Sequence, residues 1–409
     1  MTIDLLFPKL PPALDGIGDH TALLAGALAR EGATVRILTA QQEATPIEGV
    51  DICTAFPAHP PRGIQAVADA VAARPPDWLF LQFNQFSYGR WGFNPWLPLT
   101  LRRIQRSCPQ TRIAWMAHED FVPVISWQFA IMTVWQRWQF WQLGQVADHI
   151  FFSIAPWVET YNRWFPDTPV SHLPIGSNIP RVPCSRHEAR RRVGLSEDAL
   201  VLGIFGTVSA TRMLDAIDAA ARAACQTHPN AHLLYVGPHG DTVRSLLDGL
   251  PLLDAGALPA DDVSVHLQAM DVHLVPFDDG VSSRRGSFMA GLANEVASVT
   301  TTGEATDPVL ETAVNEAFLA SSSGTPDRYV EQVLQLCADA SLRSRIGKAG
   351  RRLYDAHFGW DVVPKKLLEI LSSSSDLPSG SVPRSPSQKT PPCKSPSSPT
   401  RSADPRAGG

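Results

Sequence analysis

Two serines and two arginines stand side by side in Ser282-Ser283-Arg284-Arg285, after the loop Asp278-Asp279-Gly280-Val281 and before an apolar run from Ser287 that reads as a helix. Guanidinium groups make charge-assisted, bidentate bonds to phosphate, and a helix N-terminus adds partial positive charge. Asp279, Gly280, Ser282, Ser283, Arg284 and Arg285 are therefore the leading candidates for an anion site; the alternative is a turn held by ion pairs with Asp278 and Asp279. Three further segments each follow a strand-like run. In Asp15-Gly16-Ile17-Gly18-Asp19-His20-Thr21, Gly16 and Gly18 precede a helix and let backbone N–H groups approach a phosphate or a sugar, and Asp19 beside them is a further donor-binding candidate. The alternative there is a plain turn with Asp19 as the helix cap. In Ala117-His118-Glu119, a histidine at a strand's end can donate to a sugar hydroxyl or to charge developing at a reacting centre, with Glu119 to orient it. A histidine satisfied by backbone explains the residue equally well. In Gly206-Thr207-Val208-Ser209-Ala210-Thr211-Arg212, small residues make room for a pyrophosphate and Arg212 supplies a cation at the head of a helix; alternatively Arg212 is a solvated helix residue.

Neighbouring motifs are excluded. A dinucleotide fingerprint needs its first glycine directly after the strand and an acidic residue closing the next one. Here a Pro-rich loop intervenes and the strand Thr34–Leu38 leads into Thr39-Ala40-Gln41. No Gly-Lys-Ser/Thr completes a P-loop after Gly206, and His118-Glu119 has no metal-ligand spacing, so no bound metal or cofactor is expected.

Elements able to position these residues come in two sets. Strands at Ile3–Phe7, Thr34–Leu38, Trp78–Gln82, Ile113–Met116 and His149–Ser153 alternate with helical stretches such as His20–Arg30, which predicts a parallel sheet with helices on both faces over residues 1–175. A Pro-rich junction, Leu173 to Pro183, breaks the pattern. A second set occupies 181–358, with strands at Leu200–Phe205, His232–Val236, Val272–Phe277 and Ser298–Thr301 and helices at Arg212–Thr227 and Ser287–Asn294. The fold class is α/β, with two Rossmann-like, doubly wound domains facing a cleft at the carboxyl ends of their strands. A closing helix spans 359–371, and the Ser/Pro-rich residues 372–409 read as a disordered tail.

At 409 residues and 44% apolar content the chain can bury two cores. A net charge of -5 gives no global basic field, which disfavours nucleic acid as a partner. Six scattered cysteines without a CxxC pair fit neither a disulfide framework nor a zinc site and point to a reducing cytoplasm. No signal peptide and no membrane-spanning run is expected. Between Trp127 and Gln142, Trp127, Phe129, Trp135, Trp138, Phe140 and Trp141 interleave with glutamines. Its one cation, Arg137, favours a helix packed in the first domain's core; an acceptor-binding or membrane-surface helix, and with it peripheral membrane association, is the alternative.

The order of a Gly-x-Gly-Asp loop, His118-Glu119, the linker Pro174-Ile175-Gly176-Ser177-Asn178, a Gly206 loop with Arg212, and Pro276-Phe277-Asp278-Asp279-Gly280-Val281-Ser282-Ser283-Arg284-Arg285 followed by Thr300-Thr301-Thr302-Gly303 resembles the family-4-like retaining glycosyltransferases of GT-B fold over residues 1 to 371. The resemblance implies a nucleotide-sugar donor as co-substrate on the second domain, a glycan, lipid-linked or small-molecule acceptor on the first, and no obligatory metal. It places Gly16 and Gly18 against donor phosphate and sugar, His118 near the transferred sugar, and Arg212 on the pyrophosphate. Three departures accompany it: Thr207 stands where an arginine is common, Ser282 and Ala290 stand where many members carry glutamates, and Glu295-Val296-Ala297 stands where a glycine and a proline usually close the helix and start the next strand. A non-catalytic scaffold and a sugar-nucleotide epimerase are the competing readings.

Overall fold

Trp78–Phe83 is buried at every position, the signature of a strand covered on both faces in a parallel sheet. The computed structural model describes residues 1–119, 121 and 127–375. Its first sheet contains β1 (Thr2–Leu6), β2 (Thr34–Thr39), β3 (Val50–Thr54), β4 (Trp78–Phe83), β5 (Arg112–Ala117), β6 (His149–Phe152) and β7 (Val170–His172), in the order β3-β2-β1-β4-β5-β6-β7. The second contains β8 (Leu200–Phe205), β9 (Ala231–Val236), β10 (Leu252–Asp254), β11 (Val272–Leu274), β12 (Ser298–Thr302) and β13 (Leu319–Ser322), in the order β10-β9-β8-β11-β12-β13. Every pairing is parallel. Both sheets have the doubly wound order, whose winding reverses between β1 and β4 and between β8 and β11, and the crevice of such a sheet opens at that reversal.

Several boundaries differ from the sequence reading, each for a local reason. The first helix runs Gly16–Arg30, and its cap is Asp15 rather than Asp19: Asp15 Oδ1 accepts from the backbone N–H of Ile17 at 3.0 Å and of Gly18 at 3.1 Å. β11 stops at Leu274 because Pro276 has no N–H to give the ladder. The helix after Arg212 begins at Leu214, so Arg212 lies ahead of it in a bridge to Phe277. The last helix, Val363–Ser375, carries on into residues expected to be disordered; the tail from 376 lies outside the described residues.

That last helix does not pack on the domain that precedes it. Val363, Leu367 and Leu371 are buried among Ile3, Leu5, Leu24 and Trp78 of the first domain. At roughly 1.5–3 kcal/mol for each fully buried aliphatic side chain, the contact is a substantial part of that domain's core. The aromatic helix, Trp127–Gly144, is packed on one side only. Phe140 and Leu143 belong to the core, whereas Trp127, Ile131, Val134 and Trp138 are exposed. No helix among the described residues is long and apolar enough to cross a membrane.

Candidate active site

A cleft of about 510 Å³ opens where the two sheets' carboxyl ends face each other. Its floor on the first domain comes from Lys9 beyond β1, Asn84 beyond β4 and His118-Glu119 beyond β5; its opposite wall carries Arg284, Arg285 and Gly286. Three of the four segments singled out from sequence therefore meet. Of the residues given a role there, Gly16, His118, Glu119, Arg284 and Arg285 line the cleft directly, with Asp15, Ile17 and His20 of the first segment beside them.

Arg284 and Arg285 share one carboxylate. Arg284 Nη2 donates to Asp279 Oδ2 at 2.9 Å, and Arg285 Nη2 is paired with Asp279 Oδ1. Arg285 also donates to Thr211 Oγ1 at 3.0 Å and lies 4.3 Å from the Phe277 ring centroid, while Arg284 lies 5.0 Å over Trp157 of the other domain. Asp279 is shared by both cations, and the exposed Asp278 also bears on Arg285 electrostatically. Burial lowers the Arg285 pKa, and the neighbouring Arg284 charge lowers it further. The Nε atoms of both arginines are buried without a partner. The ion-paired turn weighed from sequence thus exists, but it positions the cations rather than cancelling them.

Behind this pair, Gly280 has φ +89°, and a Cβ there would stand 2.2 Å from the Gly303 nitrogen. Only glycine allows the loop carrying Asp279 to press so closely on the end of β12. Ser282 and Ser283 are buried. Ser282 Oγ has no partner, and Ser283 faces the first domain rather than the cleft.

On the opposite floor, burial pushes the His20 imidazole down to about 4 and holds His118 well below the usual histidine range, with the nearby His20 adding to the effect on His118. Their rings meet edge-on at 5.2 Å. Gln82, buried at the end of β4, places its Oε1 2.5 Å from His118 Nε2; with that oxygen as acceptor, Nε2 carries the proton and Nδ1 is left as the basic nitrogen. Gln82, not Glu119, orients His118, because Glu119 accepts from Asn84 Nδ2 at 2.8 Å. The other cleft carboxylate, Asp15, caps the first helix and pairs with Lys9 at 3.4 Å. The carboxylates lining the cleft are thus engaged, and its chemistry is that of cations and neutral imidazoles.

Other named residues sit around this centre. Gly18 lies in the first turn of the helix, where a Cβ would come 2.9 Å from the Lys9 carbonyl oxygen, so it permits close packing of helix on loop. Asp19 is half-buried, its carboxyl pKa raised by burial and by Asp15. Gly206 ends β8 beside Ser287, and Thr207 is exposed. Arg212 is buried, donates to the Phe205 carbonyl and lies 5.3 Å from the Phe277 ring; burial brings its pKa down to about 10. It stands behind Arg285 across Phe277 rather than on the cleft wall.

The sequence reading passed over the contacts that bring the walls together. Asp307 is fully buried in the second domain, yet its Oδ1 accepts from the backbone N–H of Ala155 at 2.6 Å, the first residue of the first-domain helix Ala155–Asn162. Its Oδ2 accepts from Ser283 N–H, also at 2.6 Å. Ser283 Oγ donates to the Ser153 carbonyl at 2.7 Å and lies 3.0 Å from His172 Nε2. On the linker, Asn178 Nδ2 donates to the Gly16 carbonyl at 2.9 Å.

Solved structures share this architecture at low sequence identity. Sucrose-phosphate synthase from Thermosynechococcus elongatus superposes with a TM-score of 0.68 at 17% identity, covering 91% of this chain and 98% of that one. The chain has the GT-B fold. Anabaena HepE in complex with UDP and glucose gives a TM-score of 0.61 at 14% identity over 91% of this chain and all of that one. Among curated proteins, a GDP-mannose-dependent monoacylated alpha-(1-6)-phosphatidylinositol monomannoside mannosyltransferase of Corynebacterium glutamicum is 23% identical over 212 residues, 49% of this chain. The match spans 56% of that relative's length. No protein-family model matches the chain.

Proposed function

We propose that this GT-B chain is a glycosyltransferase, moving a sugar from a nucleotide-diphosphate sugar to an acceptor held on the first domain. The observation that carries the reading is the convergence of Arg284 and Arg285 with the His20–His118 pair on one interdomain cleft. When the glycosidic C–O bond breaks, negative charge grows on the departing diphosphate. Preorganised guanidinium groups stabilise that charge most where water is excluded. Arginines doing this work need no divalent ion, so the reaction is read as metal-independent. Among the described residues the two cleft carboxylates, Asp15 and Glu119, already have partners, so the departing phosphate is read as the acceptor of the incoming hydroxyl's proton, on the face it leaves, which is the retaining outcome. An epimerase needs additional acid/base carboxylates at this place, and those lining the cleft are already engaged.

The acceptor is proposed to be lipid-linked. A groove of about 810 Å³ runs from the cleft through Lys9, Phe86 and Ser87 past Phe56, Pro57 and Ile64 to Arg90, and most of its wall is apolar. The Corynebacterium relative, by its name, acts on a phosphatidylinositol mannoside, the same kind of amphiphile. A cytoplasmic location is proposed with it, supported by six scattered cysteines without a CxxC pair.

Thermal unfolding of the purified chain with UDP, GDP, ADP, dTDP and CMP, beside an Arg284→Ala, Arg285→Ala variant, tests the donor site. A ligand at a hundred times its Kd stabilises by about 2.7 kcal/mol. One nucleoside diphosphate is expected to raise the midpoint of the wild type and not of the variant. If none does at millimolar concentration, the non-catalytic scaffold is the better reading.

A further inference from the structure

The helix Trp127–Gly144 carries apolar side chains on its solvent face as well as on its core face. Gln136 and Gln139 are fully buried, with Gln139 Oε1 accepting from Asn94 N–H at 2.6 Å, while Trp127, Ile131, Val134 and Trp138 recur at helical spacing on the solvent side. Beside that face, Phe93 contacts Trp135 and Trp138 at ring distances of 6.2 and 6.0 Å, and Trp135 Nε1 donates to the Trp91 carbonyl. Trp91 itself is 59% exposed and Trp127 71%. Among the described residues, the exposed large hydrophobics outside the span Phe86–Trp138 are Met1, Leu14, Leu23 and Leu253 alone. An apolar patch this concentrated marks a surface that is covered in use.

The charges beside the patch say what covers it. Arg90, Arg102, Arg103 and Arg106 border the patch, with Arg103 paired to the exposed Asp69 at 2.6 Å, so the rim keeps a cationic excess in a chain whose net charge is -5. The helix Trp96–Ser107 packs against the aromatic helix, with Arg102 bonded to Gln142, and presents Trp96, Leu99, Arg103 and Arg106 along one exposed side. Arg90 lies 5.6 Å over the Trp91 ring. Tryptophans that end an apolar face, rimmed by arginines, match the boundary between acyl chains and anionic headgroups. The apolar groove beside the cleft is also lined by Gly89 and Arg90, adjacent in the chain to Trp91 of this patch.

We infer that the face formed by Trp91, Phe93, Trp96, Trp127, Ile131 and Trp138 docks the first domain on an anionic phospholipid bilayer, with the groove opening at the bilayer surface. An acceptor anchored in the bilayer then reaches the cleft without leaving the membrane. Docking is independent of the glycosyl-transfer reading; only the delivery of a lipid acceptor rests on it.

Co-flotation of the full chain with vesicles of phosphatidylcholine containing phosphatidylglycerol, against pure phosphatidylcholine, tests the inference. Wild type is expected to float with the anionic vesicles and more weakly with the neutral ones. A Trp127→Ser, Trp138→Ser variant should lose flotation. An Arg103→Gln, Arg106→Gln variant should bind the anionic vesicles about fivefold more weakly for each arginine removed. Thermal midpoints should stay at the wild-type value, since all four side chains are exposed, and so should any nucleotide-induced shift. Absence of flotation, flotation indifferent to the tryptophans, or sedimentation showing a dimer that the tryptophan variant dissociates would each overturn the assignment. Failure of the donor-site reading would appear instead as loss of the nucleotide shift with flotation intact.

Discussion

Replacing Asp307 with alanine should open the two domains before it unfolds either. The carboxylate has no solvent contact and accepts two backbone N–H groups at 2.6 Å, one from each domain. Hydrogen bonds to a charged acceptor contribute about 1.5–3 kcal/mol each. The Ala155 bond also stands where a helix N-cap would, since Ile154 supplies no side-chain acceptor. Removing both therefore costs about 3–5 kcal/mol, of which only the Ala155 bond, about 1.5–3 kcal/mol, acts between the domains; the Ser283 bond lies within the second. Divided by 1.4 kcal/mol per decade, the interdomain part shifts a closed–open equilibrium by roughly one to two orders of magnitude. Small-angle scattering should show a larger radius of gyration, and nucleotide affinity should fall because Ser283, next to Arg284, loses its anchor. Asp307→Asn retains one acceptor oxygen but turns an amide N–H toward a second donor, so it should fall between the two. If Asp307→Ala leaves both the scattering profile and the unfolding midpoint unchanged, the bonds do not hold the domains and the reasoning fails.

Two further outcomes follow from the same contacts. Burial lowers His20 and His149 from 6.5 to about 4, and His273 to about 3. Between those values and 6.5 the unfolded chain binds protons that the folded chain refuses, so stability falls as pH drops below 6.5. At pH 5 each histidine costs roughly 2 kcal/mol, and denaturant midpoints at pH 7.5 and 5 should differ accordingly; equal midpoints would sink the assignment of neutral histidines. Gly280→Ala forces a Cβ against Gly303 at φ +89° and should cost about 2–4 kcal/mol in thermal or denaturant unfolding while weakening nucleotide binding through Asp279.

What the sequence displayed and what it concealed divide along physical lines. The central strands were readable because they are continuous apolar runs. The four strands that escaped notice, β3, β7, β10 and β13, are the four sheet edges. Three of them lack the full burial that makes a strand conspicuous, and β13 is a short run of small residues. Among site residues, Arg284 and Arg285 stood out because adjacent cations before a helix are hard to account for by packing. Arg212 looked equivalent, but its position is set by Phe277, which strand pairing brings beside it from far along the chain. His20 carried no assigned role, and the lone signal was its place in the Gly16-to-Thr21 segment. Asp307 gave no local sign at all, because both its partners come from elsewhere in the chain.

The closing helix carries a consequence for synthesis. Its residues Val363, Leu367 and Leu371 complete a core whose other members begin at Ile3. Domains generally fold as they leave the ribosome, N-terminal part first. Here the first domain emerges with a missing piece and keeps an apolar trough open until almost the whole chain has been translated. The second domain, contiguous in sequence, can finish folding earlier. The half of the protein made first is thus the half completed last, and a ribosome stalled before Val363 would hold a finished second domain tethered to an unfinished first one.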